Sequence, residues 1–186
     1  MLKVFPRVKR VVDVAGAMGG LVAFAPVMAL VACAILLDDG RPVLFRQERL
    51  GRRRRPFTIL KFRSMRDGDV TRVGRVLRAA GLDELPQFVN ILRGELSAVG
   101  PRPLTAADAA RLGWGGRDCD FRWSVRPGLT GLAQLAGARS LHLDRRYIAD
   151  QSLRLDLRLI AMSFVVNLLG KRRARHLLFG RSGSGA

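Results

Sequence analysis

Residues 81–90 read GLDELPQFVN and set Asp83 and Glu84 side by side. Arginines bracket the pair. Arg78 precedes it, Arg102 follows in SAVGPRPL (97–104), and Arg126 lies in VRPGLTGLAQLAG (125–137). These residue types suit phosphoryl chemistry. An aspartate can attack phosphorus and form an acyl phosphate. A neighbouring carboxylate can share a divalent cation with phosphate oxygens. Guanidinium groups on rigid loops grip phosphate through paired hydrogen bonds. A simpler role stays open at this point. Acidic residues at a helix start satisfy unpaired amides and offset the helix dipole, together worth about 1–2 kcal/mol.

The elements that must position these groups follow from local pattern. TRVGRVLRAA (71–80) places Val73, Val76, Leu77 and Ala80 at helical spacing, with Arg72, Arg75 and Arg78 on another face. Gly81 ends that helix. DELPQFVNILRGEL starts a second, in which Leu85, Phe88, Val89 and Leu92 recur at helical intervals and Pro86 is tolerated in the first turn. Gly100, Pro101 and Pro103 exclude regular structure from 97–104, which becomes a rigid loop presenting Arg102. Residues 125–137 present Arg126 in the same way. PVLFRQERLG and FTILKFRSM flank the turn GRRRR and predict a hairpin or two short strands over 42–63. Residues 105–123 read as partly helical. One last helical region covers 144–169, an amphipathic or interfacial helix followed by KRRARHLLF. Residues 180–186, GRSGSGA, read as a flexible tail.

Upstream, VVDVAGAMGGLVAFAPVMALVACAILL (11–37) is long enough to cross a bilayer, which needs about 20 apolar helical residues. Basic residues crowd both flanks: Lys3, Arg7, Lys9 and Arg10 before it, then Arg41, Arg46, Arg49 and Arg52 to Arg55 after it. Positive charge marks the cytoplasmic side of a membrane segment, and here both ends carry it. Pro26, preceded by Ala25, removes a helical hydrogen bond near the middle. A re-entrant helix that returns to its own side fits these features, and so does an ordinary span with a proline kink. Asp13 at the entry can pair with Lys9 or Arg10 one turn back.

The charge points the same way. Lys and Arg number 33 against 15 Asp and Glu, a formal net charge of +18. Such a balance implies an anionic partner. Hydrophobic residues nevertheless make up 48% of the chain. Segregated apolar and basic stretches favour an anionic lipid surface over nucleic acid, and aromatic stacking platforms are scarce at 6%. Cys33 and Cys119 lie too far apart in sequence for a metal-ligand motif and read as reduced structural thiols. His142 and His176 are isolated, which argues against a histidine metal site or a serine–histidine triad.

Several blocks, in order, resemble the bacterial monotopic phosphoglycosyl transferases, the polyprenyl-phosphate sugar-1-phosphate transferases. They are KRVVDV (9–14), KFRSM (61–65), LDELPQFVNILRGELSAVGPRPL (82–104), RPGLTG (126–131) followed by AQ, and Tyr147 ahead of LDLRLI. The resemblance implies an α+β, mostly helical fold. Its parts are a re-entrant membrane helix broken at Ala25–Pro26, a short β-hairpin, and surface amphipathic helices around a small cytosolic catalytic domain. Residues 1–179 would form one domain of the minimal catalytic form, with 11–37 re-entrant and 42–169 the membrane-associated catalytic region. The location implied is the cytoplasmic face of the bacterial inner membrane.

The activity implied is transfer of a sugar-1-phosphate from a UDP-sugar to undecaprenyl phosphate, releasing UMP and initiating glycoconjugate or exopolysaccharide assembly. Asp83 would be the nucleophile, and Glu84 with Asp83 would hold Mg²⁺. Arg78 and Arg102 match phosphate-binding positions, and Arg126 and Lys61 join them as substrate-binding candidates. The sequence departs from the family pattern at Gly81 (usually Ser or Thr), Leu132 (Trp), Ala136 (Asn) and Ala25 (often Ser). The rival reading is a non-enzymatic basic module that recruits anionic partners to a membrane. The transferred sugar and the oligomeric state, monomer or homodimer, are open.

Overall fold

The computed structural model describes residues 5–169. Phe5–Asp39 is one helix, α1, of 35 residues, and Pro26 lies inside it. The division expected at Ala25–Pro26 is therefore not a gap in the helix. A proline deletes one amide donor and strains the turn before it, yet the flanking turns keep their own hydrogen bonds. Along α1 only Asp13, Ala17, Val31 and Ile35 are buried. Val11, Met18, Val22, Leu30 and Leu37 are exposed. By length and composition the helix could cross a membrane.

The expected hairpin follows. Leu44–Leu50 (β1) and Pro56–Phe62 (β2) pair antiparallel, Leu44 opposite Phe62 and Leu50 opposite Pro56. Two arginines of its turn are engaged within the protein: Arg52 Nε donates to Ser124 O at 2.7 Å, and Arg54 meets Asp120 at 2.7 Å. After a small ribbon, Met65–Arg66 (β3) with Asp69–Val70 (β4), comes α2, Arg72–Ala80. Thr71 caps α2 by accepting from Gly74 N, and Gly81 closes it at φ 71°.

The next helix begins later than the sequence suggests. Leu82–Glu84 forms a separate 3₁₀ turn, and α3 runs Gln87–Arg93, so Pro86 precedes α3 instead of lying in its first turn. The left-handed Gly81 redirects the chain, and the Glu84 amide bonds back to Gly81 O at 3.3 Å. Asn90 on α3 is fully buried. Its Oδ1 accepts from Leu60 N at 3.0 Å, and its Nδ2 donates to Thr58 O at 2.7 Å and Glu95 Oε2 at 2.6 Å. One side chain thus supplies the outer edge of β2 with the partners a third strand would give.

Residues 97–104 are not all loop. Ser97–Val99 (β5) is a strand. Ala106–Arg111 (α4) and Asp120–Trp123 (α5) follow, then Gly128–Thr130 (β6), which pairs with β5 in parallel. The Pro/Gly punctuation hid a pairing between segments some thirty residues apart. Leu132–Ala136 (α6) leads to two further helices where one region was expected: Leu141–Ala149 (α7) and Leu153–Leu169 (α8), separated at Asp150–Ser152. The basic segment after α8 and the 180–186 tail lie outside the described residues.

Apolar packing joins these parts. Val99, Leu135, Tyr147, Leu159 and Val166 bind β5, α6, α7 and α8 into one cluster. Ala17, Phe57, Ile59, Ile91 and Leu96 seat α1 and α3 against β2. Gly20 permits close approach here, since a Cβ at that position would lie 2.9 Å from the Phe88 ring. Replacing Asn90 by Ala strands the Leu60 amide and Thr58 carbonyl in the interior. We expect a loss of about 2–4 kcal/mol, read as a lowered denaturation midpoint of detergent-purified protein.

Candidate active site

The dyad turn sits on the wall of a cleft of about 660 Å³ between the β1–β2 hairpin, the end of α2, the loop after β5, and α8. Lys61, Arg78, Asp83, Glu84 and Arg102 all line it. They arrive from four elements, Asp83 and Glu84 sharing one turn. Lys61 stands near the end of β2, and its Nζ donates to Glu84 Oε1 at 2.7 Å. Arg78, in the last turn of α2, is exposed and reaches Met65 Sδ at 2.9 Å. Asp83 and Glu84 are half-buried.

The capping role can be judged directly. No side-chain cap bond closes either the dyad turn or α3. Asp83 accepts no hydrogen bond from another described residue's side chain. Burial pushes its carboxyl above the usual carboxylate range, and the adjacent Glu84 adds to the rise. Lys61 and Arg78 pull it partly back. Asp83 thus closes neither helix start, and its backbone hydrogen bond is to its own amide.

Arg102 depends on a loop fastened at every residue around it. Gly100 N donates to Thr130 O at 2.9 Å, Leu50 N to Leu104 O at 2.8 Å, and Arg49 Nη1 to Pro103 O at 3.3 Å. The Arg102 carbonyl itself accepts from Arg122. Arg122 is buried, paired with Asp144 at 2.8 Å, and flanked by Trp114 and Trp123 at 5.2 and 4.9 Å from their ring centres. The Arg102 side chain stays exposed in the cleft.

Arg126 stands apart from this group. It does not line the cleft. Its Nε donates to Gly94 O at 2.7 Å, beside Arg10, which donates to Ile91 O at 2.6 Å and Leu92 O at 3.0 Å. Both arginines satisfy the open carbonyls at the end of α3. Ala25 and Pro26 are exposed on α1 and line neither the cleft nor the groove described below. Of the departures, Leu132 packs into the core beside Leu135, and neither it nor Ala136 lines the cleft.

A second, apolar groove of about 560 Å³ runs between α1, α3 and α8. It joins the cleft at a throat formed by Gly81, Glu84, Leu129, Thr130, Ser163 and Asn167, which line both cavities. Sequence reasoning missed Ser163 and Asn167, although two polar residues four apart in an apolar run were a visible signal. It also gave no role to Gln134, which lines the cleft with its Oε1 buried and unpaired among the described residues. Among those residues no group of three or more His, Cys, Asp or Glu side chains could hold a metal. Two adjacent carboxylates remain, a donor set that suits Mg²⁺ when substrate phosphates complete the coordination.

Residues 4–170 match the family described as bacterial sugar transferase. A UDP-glucose:undecaprenyl-phosphate glucose-1-phosphate transferase from Caulobacter vibrioides is 43% identical over 181 residues, covering 82% of this chain and 66% of that protein. A UDP-N-acetylgalactosamine-undecaprenyl-phosphate N-acetylgalactosaminephosphotransferase from Aeromonas hydrophila is 35% identical, covering 90% and 45%. The exopolysaccharide production protein PSS of Rhizobium leguminosarum bv. phaseoli is 34% identical, covering 86% and 94%. The chain thus spans just under two thirds of the first, under half of the second and nearly all of the third.

The Asp83 environment predicts a stability effect with a definite sign. Its native pKa lies above the unfolded value, so the native state holds the proton more tightly. That contribution is complete below the unfolded pKa and is lost as pH rises through the native one. Asp83→Asn removes the loss. The variant should melt at a higher temperature than wild type at neutral pH, and the difference should close in acid, in melts recorded across a pH series.

Proposed function

The chain belongs to the bacterial sugar transferase family, and on that premise we propose that it moves a sugar-1-phosphate from a UDP-sugar to undecaprenyl phosphate. The observation that carries this reading is the Asp83–Glu84 turn, set among Lys61, Arg78 and Arg102 where a polar cleft opens into an apolar groove. A nucleotide diphosphate suits the cationic cleft, and a polyprenyl chain suits the groove. Few other substrate pairs need both at one throat.

In the first step an Asp83 carboxylate oxygen attacks the sugar-bearing phosphorus. The bond from that phosphorus to the bridging oxygen breaks, and UMP leaves with the electron pair. In the second, an oxygen of the lipid phosphate attacks the same phosphorus and the Asp83–phosphorus bond breaks. The products are undecaprenyl-diphosphate-sugar and a restored carboxylate. Lys61, Arg78 and Arg102 oppose the negative charge that gathers as two anions meet. Mg²⁺, held by Asp83 and Glu84 with phosphate oxygens, would supply further charge neutralisation. Partial burial of Asp83 strips water from its carboxylate and raises its basicity, which favours attack once the surrounding cations have ionised it. The step would feed polysaccharide or glycoconjugate assembly.

For the membrane we propose that α1 is re-entrant, with both ends on the cytoplasmic face. The basic residues at each end and the exposed Pro26 support this arrangement. Single cysteines placed near residues 7 and 41, in a background lacking Cys33 and Cys119, should label from the same side. Labelling from opposite sides would make α1 a span.

Asp83→Asn should lower UMP release from UDP-glucose and undecaprenyl phosphate by about a thousandfold or more. Labelled sugar phosphate should stay with wild-type protein after denaturation and be absent from the variant. Near-normal turnover by Asp83→Asn would sink the covalent mechanism. A recruitment module with no chemistry would instead show vesicle binding and no UMP release from any UDP-sugar.

A further inference from the structure

We propose that Ser163 and Asn167, one turn apart on α8, bind the phosphate of the lipid acceptor at the throat between groove and cleft. The inference rests on the transferase reading and assigns the residues that receive its second substrate. Between Leu159 and Leu169, α8 reads LIAMSFVVNLL, and Ser163 and Asn167 are its only polar side chains. Their spacing puts them on one face of the helix. Both line the groove and the cleft. Neither side chain hydrogen-bonds another described residue, so their donors are available to a ligand.

Gly81 lies against Asn167 at the throat. A Cβ built there would lie 2.8 Å from Asn167 Nδ2. The absent side chain leaves room for the amide of Asn167 beside the turn that carries Asp83. This amide and Glu84 both line the throat that a lipid phosphate would enter with its chain in the groove. Uncharged donors suit the position. They orient the phosphate without adding a cation that would pair with Glu84 or draw electron density strongly from the attacking oxygen.

The test uses the full chain in detergent micelles, with undecaprenyl phosphate as acceptor. The donor is whichever of UDP-glucose or UDP-N-acetylgalactosamine supports turnover. Two quantities are read: the KM for undecaprenyl phosphate, and the exchange of labelled UMP into the UDP-sugar without acceptor. Asn167→Ala and Ser163→Ala should each raise the acceptor KM about tenfold, the loss expected for one hydrogen bond to a charged group, with UMP exchange within twofold of wild type. Asn167→Asp should raise the KM further by repelling the phosphate, and Asn167→Ser should recover part of the loss. An unchanged acceptor KM in Asn167→Ala or Asn167→Asp overturns the proposal. So does a matching fall in UMP exchange, which would make Asn167 a support for the dyad turn. A wild-type chain that releases no UMP from these or any other UDP-sugar overturns the transferase reading itself and this inference with it.

Discussion

Lys9 donates to Asp156 at 2.6 Å, and much of the molecule's layout hangs on that bond. It joins α1 to α8, the two longest described helices and two of the walls of the apolar groove. A buried ion pair survives only when its remaining hydrogen-bonding capacity is met. Here the Tyr147 hydroxyl donates to Asp156 Oδ1 at 2.8 Å and lies 3.0 Å from Val99 O. Asp13, one turn along from Lys9, accepts from the Ala98 amide at 3.1 Å. Helices α1, α7 and α8 therefore meet around strand β5. Lys9, Asp13 and Asp156 all line the groove, so this polar knot stands in its wall.

The cleft is built on a different plan. Its walls are short elements, and each is fixed by a side chain bonded to distant backbone. Asn90 completes the edge of β2 and so places Lys61 against Glu84. Arg122 holds the carbonyl of Arg102. Arg10 and Arg126 finish α3 behind the dyad. Such bonds suit a site that must keep several cations near two carboxylates: Lys61 pairs with Glu84, while Arg78 and Arg102 stay unpaired with either among the described residues. A cation spent on a carbonyl holds the frame, and a cation left exposed is free for substrate.

That distinction sets what could be read from the chain alone. The hairpin, α2 and its glycine stop rest on local periodicity and turn chemistry, and they are where the pattern puts them. Arg102 and Arg126 show why the rest was less legible. Both sit next to proline in Gly-rich segments, and no local feature separates them. Only tertiary packing turns Arg102 into the cleft and Arg126 onto the Gly94 carbonyl. The strand at Ser97–Val99 was hidden for a similar reason: three residues have no periodicity of their own, and their partner lies far along the chain. Asp83 and Glu84 were legible by type, yet their failure to cap the turn they occupy is visible only in three dimensions.

The division between long rails and short, separately fastened walls has an evolutionary consequence. If the cleft takes the sugar donor and the groove the lipid, as proposed, substitutions at Gln134 of α6 or in the loop after β5 would reshape the one without disturbing the long helices that line the other. Leu132 and Ala136 are changes of another kind: both lie on α6 but line neither cavity, and Leu132 is absorbed by the core beside Leu135. On the proposed reading, a scaffold arranged this way would change its sugar while keeping its carrier, because the two preferences are written largely in different parts of the chain.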